Sequence, residues 1–121
     1  MAFAIKRVYE PAEASDGYRV LVDRLWPRGV SKEKAELDEW AKDAAPSAAL
    51  RTEWHRNRER FDEFAATYRS ELDANPAAQA LLQLGREHDR VTLLFGARDE
   101  LVNHAAVLLD WLGEHGASVD P

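Results

Sequence analysis

Two short segments of this sequence share one arrangement: an apolar run that breaks into a loop carrying an aspartate and an arginine. In the first, Val20-Leu21-Val22 leads into Asp23-Arg24-Leu25-Trp26-Pro27-Arg28-Gly29. In the second, Leu93-Leu94-Phe95 leads into Gly96-Ala97-Arg98-Asp99, with Asn103-His104 shortly after. Guanidinium forks beside the backbone N–H groups of a helix start suit a phosphate or carboxylate. Arg24, Arg28 and Arg98 are therefore candidate binders of a small anion, with Asn103 as a further polar contact and Trp26 as a wall or stacking surface. Asp23 and Asp99 would orient those arginines or act on protons, and His104 is the imidazole of the region that titrates near neutrality. Asp23, Asp99 and His104 are thus the candidate catalytic groups. The pattern alone does not decide whether a reaction takes place.

Taken singly, each of these residues has a plainer use. Arg–Asp pairs at loop ends are commonly solvated ion pairs of small energetic value, and a Trp-Pro after a strand is commonly a packing wedge. What marks a site is the coincidence of two such loops. It requires both strands to end at the same rim, where open α/β sheets bind their ligands.

The surrounding pattern is consistent with that requirement. Phe3, Ile5 and Val8 with Tyr9 suggest a first strand, and residues 10–17 (EPAEASDG) form a loop ending in an Asp-Gly turn. Residues 18–25 (YRVLVDRL) are rich in β-formers, and Pro27 and Gly29 end that strand. Ser31 is placed to cap a helical turn through Lys34. Residues 35–45 fit either a short helix or an irregular strand, with Leu37 and Trp40 facing a core in both cases. From Ser47 the apolar spacing is helical: Leu50 and Trp54, then Phe61, Phe64, Ala65, Tyr68 and Leu72, with Asn57 capping a fresh start. Asn75-Pro76 opens another helix, which presents Ala78, Leu81, Leu82 and Gly85 on one side. Residues 91–95 (VTLLF) are the best central strand. Residues 103–115 form the last helix, burying Ala106, Val107, Leu109 and Trp111, and Gly116 closes it. The expected fold class is α/β: a single compact domain over residues 1–121, with a small, mainly parallel sheet flanked by helices.

Other motifs are weaker. Ser31-Lys32-Glu33-Lys34 matches a Ser-x-x-Lys acylase pattern without its partner motifs, and helix capping explains Ser31 better. Residues 51–60 (RTEWHRNRER) are locally basic, yet interleaved glutamates fit a solvated helix face. The four histidines form no metal-ligand spacing, and no glycine-rich phosphate loop is found, so no metal or cofactor is expected.

Composition narrows the classes further. Hydrophobic residues make up 45% and charged residues 31% of the 121 positions, a globular balance. With 16 Lys and Arg against 22 Asp and Glu the net charge is −6, which disfavours broad nucleic-acid binding but not a local basic pocket. The absence of cysteine excludes disulfides and thiol chemistry. No apolar stretch approaches the roughly 20 residues that cross a bilayer, and the first residues do not form a secretory signal, so a cytoplasmic location is expected. Oligomeric state is not legible.

The longest specific strings point to a family. Residues 16–47 (DGYRVLVDRLWPRGVSKEKAELDEWAKDAAPS) closely resemble the signature of bacterial domain of unknown function 488, in its YeaO-like branch. RFDEFAATYRSEL at 60–72 and VTLLFGARDELVNHAAVLLDWL at 91–112 agree in order, so the resemblance spans nearly the whole chain. It implies a small cytoplasmic bacterial α/β protein, in a family whose name declares its function unknown. The wider family often carries a cysteine at the position of Gly96 and a Cys-His-Arg triplet where this chain has Asn103-His104-Ala105. That departure leaves His104 as the matching polar position.

The leading expectation is a pocket for a nucleotide or other phosphorylated anion. The alternatives are a nucleic-acid or regulatory module using residues 51–60, and a non-catalytic partner-binding protein whose exposed tryptophans form a subunit contact.

Overall fold

The computed structural model of the protein describes residues 2–56, 58–99 and 103–120. These form four strands and five α-helices. The apolar run near position 93 becomes the central strand β4 (Arg90–Phe95), with β1 (Ala2–Arg7) on one side and β2 (Tyr18–Leu21) on the other. A two-residue strand, β3 (Glu39–Trp40), lies beyond β2, giving the order β1-β4-β2-β3 with every pairing parallel. A parallel strand covered on both faces can be apolar throughout, which is why Val91 to Phe95 shows little alternation.

Register decides which residues share a face. Leu93 pairs with Ile5 and Val20, and Leu94 pairs with Lys6 and Leu21. Since side chains alternate, Phe3, Val20, Val22, Val91, Leu93 and Phe95 point to one side. There they meet α2 (Ala48–Arg56), α3 (Phe61–Asp73), α4 (Pro76–Glu87) and α5 (His104–Glu114) in the main core. The four longer helices therefore all pack on one face. The opposite face holds a smaller cluster, Val8, Leu21, Ala35 and Leu94, under the single turn α1 (Lys32–Ala35) and the half-buried Trp26, Val30 and Leu37. It also carries a buried polar group, Asp16, Arg19 and Thr92, joined by Lys6.

The helix starts follow local chemistry. Ser31 accepts from the Lys34 N–H at 3.1 Å. Asn75 accepts from Ala77 with Pro76 at the first helical position, and Asn103 accepts from Ala106 at 2.8 Å. The expected cap at Asn57 lies outside the described residues.

Several boundaries differ from expectation. β1 ends at Arg7, leaving Tyr9 exposed, and β2 ends at Leu21 instead of continuing to Leu25. Past Val22, whose N–H still reaches the Leu94 carbonyl at 3.0 Å, Asp23 turns its side chain to Gly96 and the ladder stops. Residues 35–45 resolve into the end of α1, the short β3 and a 3₁₀ turn (Lys42–Ala44). Leu37 joins the smaller cluster, whereas Trp40 is exposed. In α5 the phase buries Ala105 and Leu108, and Ala106 is half-exposed. No helix among the described residues is long and apolar enough to cross a membrane.

Candidate functional site

Because β2 and β4 are hydrogen-bonded parallel neighbours, the loops that follow them leave the sheet side by side. Between them lies a cleft of about 570 Å³, lined by Asp23, Arg24, Arg98, Asp99, Asn103 and His104. The residues around position 24 and those around position 98 do share one cavity. Helix α2 adds Arg51, Trp54 and His55 to the lining, and α3 adds Phe64.

Trp26 and Arg28, expected as wall and anion contact, are carried elsewhere. Pro27 is buried beneath the turn, and Trp26 is directed to the smaller cluster, where its Nε1 donates to the Val30 carbonyl. Its ring meets Trp40 edge-on at 5.4 Å. Arg28 is exposed, with its carbonyl accepting from the Tyr9 hydroxyl.

The floor of the cleft is an internal latch. Asp23 Oδ2 accepts the Gly96 N–H at 2.9 Å, tying the end of β2 to the end of β4. Its Oδ1, buried and without an aligned hydrogen bond, lies 3.1 Å from His104 Nε2. The same nitrogen lies 3.1 Å from the Val22 carbonyl. Both neighbours are acceptors, so Nε2 must carry a proton. Trp40 Nε1 donates to the Asp23 carbonyl at 2.7 Å and holds the backbone. Asn103 is also engaged on both ends: Oδ1 caps α5, and Nδ2 donates to the Asp99 carbonyl at 2.8 Å. Asp99 itself is exposed and makes contacts of its own.

The arginines are placed differently. Arg24 donates from Nε to the Pro46 carbonyl at 3.1 Å and from Nη2 to Ala45 at 3.4 Å, which aims its fork and leaves other N–H groups open. The segment it grips is held from behind. Tyr68 donates its hydroxyl to Ala44, Asn75 donates to Asp43, and Glu71 accepts from both the N–H and the hydroxyl of Ser47. Burial pushes the Tyr68 phenol far above its ordinary titration range, so it stays a donor. Arg7 Nε fixes the loop after β4 through the Ala97 carbonyl at 2.8 Å. Arg98 is exposed. Among the described residues, no carboxylate lies within ion-pair distance of Arg24, Arg51 or Arg98.

Arg51, Trp54 and His55 were not among the residues expected at this site. Their spacing of three and four places them on one helix face, and that face turns to the strand ends. Of the same basic stretch, Arg56 and Arg60 are exposed, and Arg60 faces Glu63 at 3.6 Å. No group of three or more His, Asp or Glu among the described residues could hold a metal ion.

The latch depends on a bare Cα at position 96. A Cβ there would lie 2.9 Å from Asp23 Oδ2 and 3.5 Å from Pro27 Cβ. Gly96→Ala is therefore expected to push the carboxylate off the position 96 N–H, costing about 1 kcal/mol for the lost hydrogen bond. Urea unfolding should show the lower midpoint, and a midpoint equal to that of the parent chain would refute the latch.

Comparison with known proteins gives the chain its relatives. Residues 2–120 match the family model described as "Inactive DUF488-N3 subclade". The uncharacterized protein YeaO of Escherichia coli (strain K12) is 45% identical over 112 residues, covering 93% of this chain and 97% of the relative. The uncharacterized protein Rv3073c of Mycobacterium tuberculosis (strain ATCC 25618 / H37Rv) is 45% identical over 109 residues, 89% of this chain and 91% of the relative. No solved structure matches the chain. The chain therefore belongs to the domain of unknown function 488 family, on its YeaO-like side.

Proposed function

We infer that the cleft at the ends of β2 and β4 binds a small anionic ligand, a phosphorylated metabolite, without turning it over. One observation carries this reading. Three arginines line a single cavity with no carboxylate within ion-pair distance among the described residues, in a chain whose net charge is −6. An unneutralised cluster of like charge is electrostatically costly, and an incoming anion relieves it. Of the two acidic residues in the lining, Asp23 is already met by the Gly96 N–H and the His104 ring, and Asp99 makes contacts of its own.

The same engagement argues against proton transfer by Asp23. A general base must reach its substrate proton with a free lone pair. Asp23 has one oxygen on a backbone N–H and the other buried, so it offers none, whereas His104, with its Nε2 proton directed inward, keeps its lone pair on Nδ1. The word "Inactive" in the family description agrees with binding in the absence of catalysis.

The test is a thermal-shift series at low ionic strength with inorganic phosphate, ribose 5-phosphate and nucleoside monophosphates, since a ligand of the folded state raises Tm by mass action. Arg98→Ala removes a cation that no other described residue pairs with. Losing one charged hydrogen bond of about 1.5–3 kcal/mol should weaken the anion roughly 10- to 150-fold while leaving the ligand-free Tm in place or slightly raised by the relief of like charge. Arg24→Ala should do the same and also lower that Tm, because the Pro46 and Ala45 carbonyls lose their donor. No shift with any of these anions at millimolar concentration would end this reading.

A further inference from the structure

Trp54 differs from the other tryptophans of the chain in one respect. Trp26 donates its indole N–H to the Val30 carbonyl, Trp40 to the Asp23 carbonyl and Trp111 to the Asp73 carboxylate. Trp54 has no hydrogen-bond partner for its indole N–H among the described residues, although it is half-buried. Its Nε1 is not among the fully buried atoms without a partner, so the N–H is open rather than enclosed. Trp54 lines the cleft, so its unengaged donor and its ring are both available to whatever enters.

The ring is also well braced. Phe61 packs against it at 5.3 Å and Phe64 at 4.9 Å, the latter tilted by only 30°. A braced aromatic side chain loses little conformational freedom on binding, which favours stacking of a planar group. The cavity volume points the same way. About 570 Å³ is far more than an inorganic phosphate fills and falls within the range of about 300–1,000 Å³ that holds whole small molecules.

We propose that the ligand is an anion with a planar, acceptor-bearing ring, of the nucleoside monophosphate class, its ring against Trp54 and its phosphate toward Arg24 and Arg98. This rests on the anion-binding reading above and adds a specificity-determining residue to it. The strand ends contribute the charge recognition, and α2, backed by α3, contributes the ring recognition. An anion without a ring would leave both the Trp54 face and its N–H without a partner.

Isothermal titration of the full chain with AMP, CMP, ribose 5-phosphate and inorganic phosphate separates the two statements. At least one nucleoside monophosphate should bind about tenfold or more tighter than ribose 5-phosphate. Trp54→Leu should reduce that preference to below threefold with ribose 5-phosphate affinity unchanged. Trp54→Phe keeps the ring and removes the N–H. It should weaken the nucleotide at least threefold without affecting ribose 5-phosphate, and it serves where the leucine variant does not fold. Equal affinity for nucleotide and sugar phosphate, or a nucleotide preference that survives both substitutions, overturns the proposal and leaves anion binding standing. Binding of none of these compounds removes both.

Discussion

An Asp16→Ala variant is expected to lose about 3 kcal/mol of folding stability, because it leaves a buried guanidinium without its counter-charge. Asp16 is buried, and the side chain of its neighbour Arg19 is only 5% exposed. One Asp16 oxygen accepts from Arg19 Nη1, the Lys6 ammonium lies 3.1 Å from both carboxylate oxygens, and Oδ2 also accepts the Glu13 N–H at 3.0 Å. The remaining Arg19 donors go to the carbonyls of Ala35 and Glu36, so the guanidinium cannot leave without abandoning α1. Lys6 has a way out, since Glu13 beside it is 65% exposed and water can reach the ammonium. That relief keeps the loss at the low end of what breaking a buried pair costs. Against a total stability of about 5–15 kcal/mol the loss is large. Urea unfolding measures it directly. A change under 1 kcal/mol would mean that the network contributes specificity with little net energy.

The same carboxylate gives a pH signature. Burial alone would raise its pKa, but the Glu13 N–H, Lys6 and Arg19 together outweigh burial and hold it below the ordinary 3.8. A group depressed in the folded state contributes stability that is complete above its unfolded value. That contribution fades as pH falls below about 3.8 toward the folded value. The parent chain should therefore lose stability more steeply below pH 4 than Asp16→Asn, which has no such carboxylate. Parallel curves would place the depression in the unfolded chain as well.

How far the fold is legible before any coordinates depends on whether local or distant groups decide each element. The central strand is legible from VTLLF alone, because a five-residue apolar run leaves a parallel strand few alternatives. The caps at Ser31 and Asn75 are legible because the deciding hydrogen bond stays within three residues. Residues 35–45 are not, because β3 exists through distant partners. Asp38 donates its N–H to the Arg19 carbonyl and accepts the Arg19 N–H, and Ala41 donates to Leu21. A propensity reading cannot supply those contacts.

The site divides along the same line. The loops at Asp23-Arg24 and Arg98-Asp99 are legible as strand exits, but that their strands are neighbours is not, and only the parallel pairing of β2 with β4 brings them to one rim. Which loop residues face that rim is decided by the turn at Pro27, which sends Trp26 to the face that Leu21 and Leu94 share. The aromatic wall instead comes from Trp54, some thirty residues on in the chain. Its spacing from Leu50 reads equally well as core or surface, and only the packing of α2 against the strand ends distinguishes the two. Arg51 and His55 sit three residues before it and one after, and they are the cue that this face meets a charged cavity.

Gly17→Ala is expected to cost about 3–5 kcal/mol, combining backbone strain with a clash that cannot relax. Gly17 adopts φ 66° and ψ −131°, a region that side chains with a Cβ rarely enter. An added Cβ would lie 2.4 Å from the Arg90 carbonyl oxygen and 2.8 Å from the Arg90 Cβ. Arg90 opens the central strand, paired with Ala2 on one side while Tyr18 meets Val91 on the other, so its backbone cannot yield. Gly29 is the internal control. It too has a positive φ, 79°, but apart from its two chain neighbours no heavy atom of the described residues lies within 4 Å of where its Cβ would stand. Gly29→Ala should therefore show only the conformational cost of about 1–2 kcal/mol. Equal urea midpoints for the two variants would show that the Arg90 contact adds nothing. Position adds a second discriminating readout. Gly17 stands where the strands begin, and the cleft lies where they end. The folded fraction of Gly17→Ala should bind a phosphorylated ligand with the affinity of the parent chain, whereas Arg98→Ala should keep the stability and bind it roughly 10- to 150-fold more weakly.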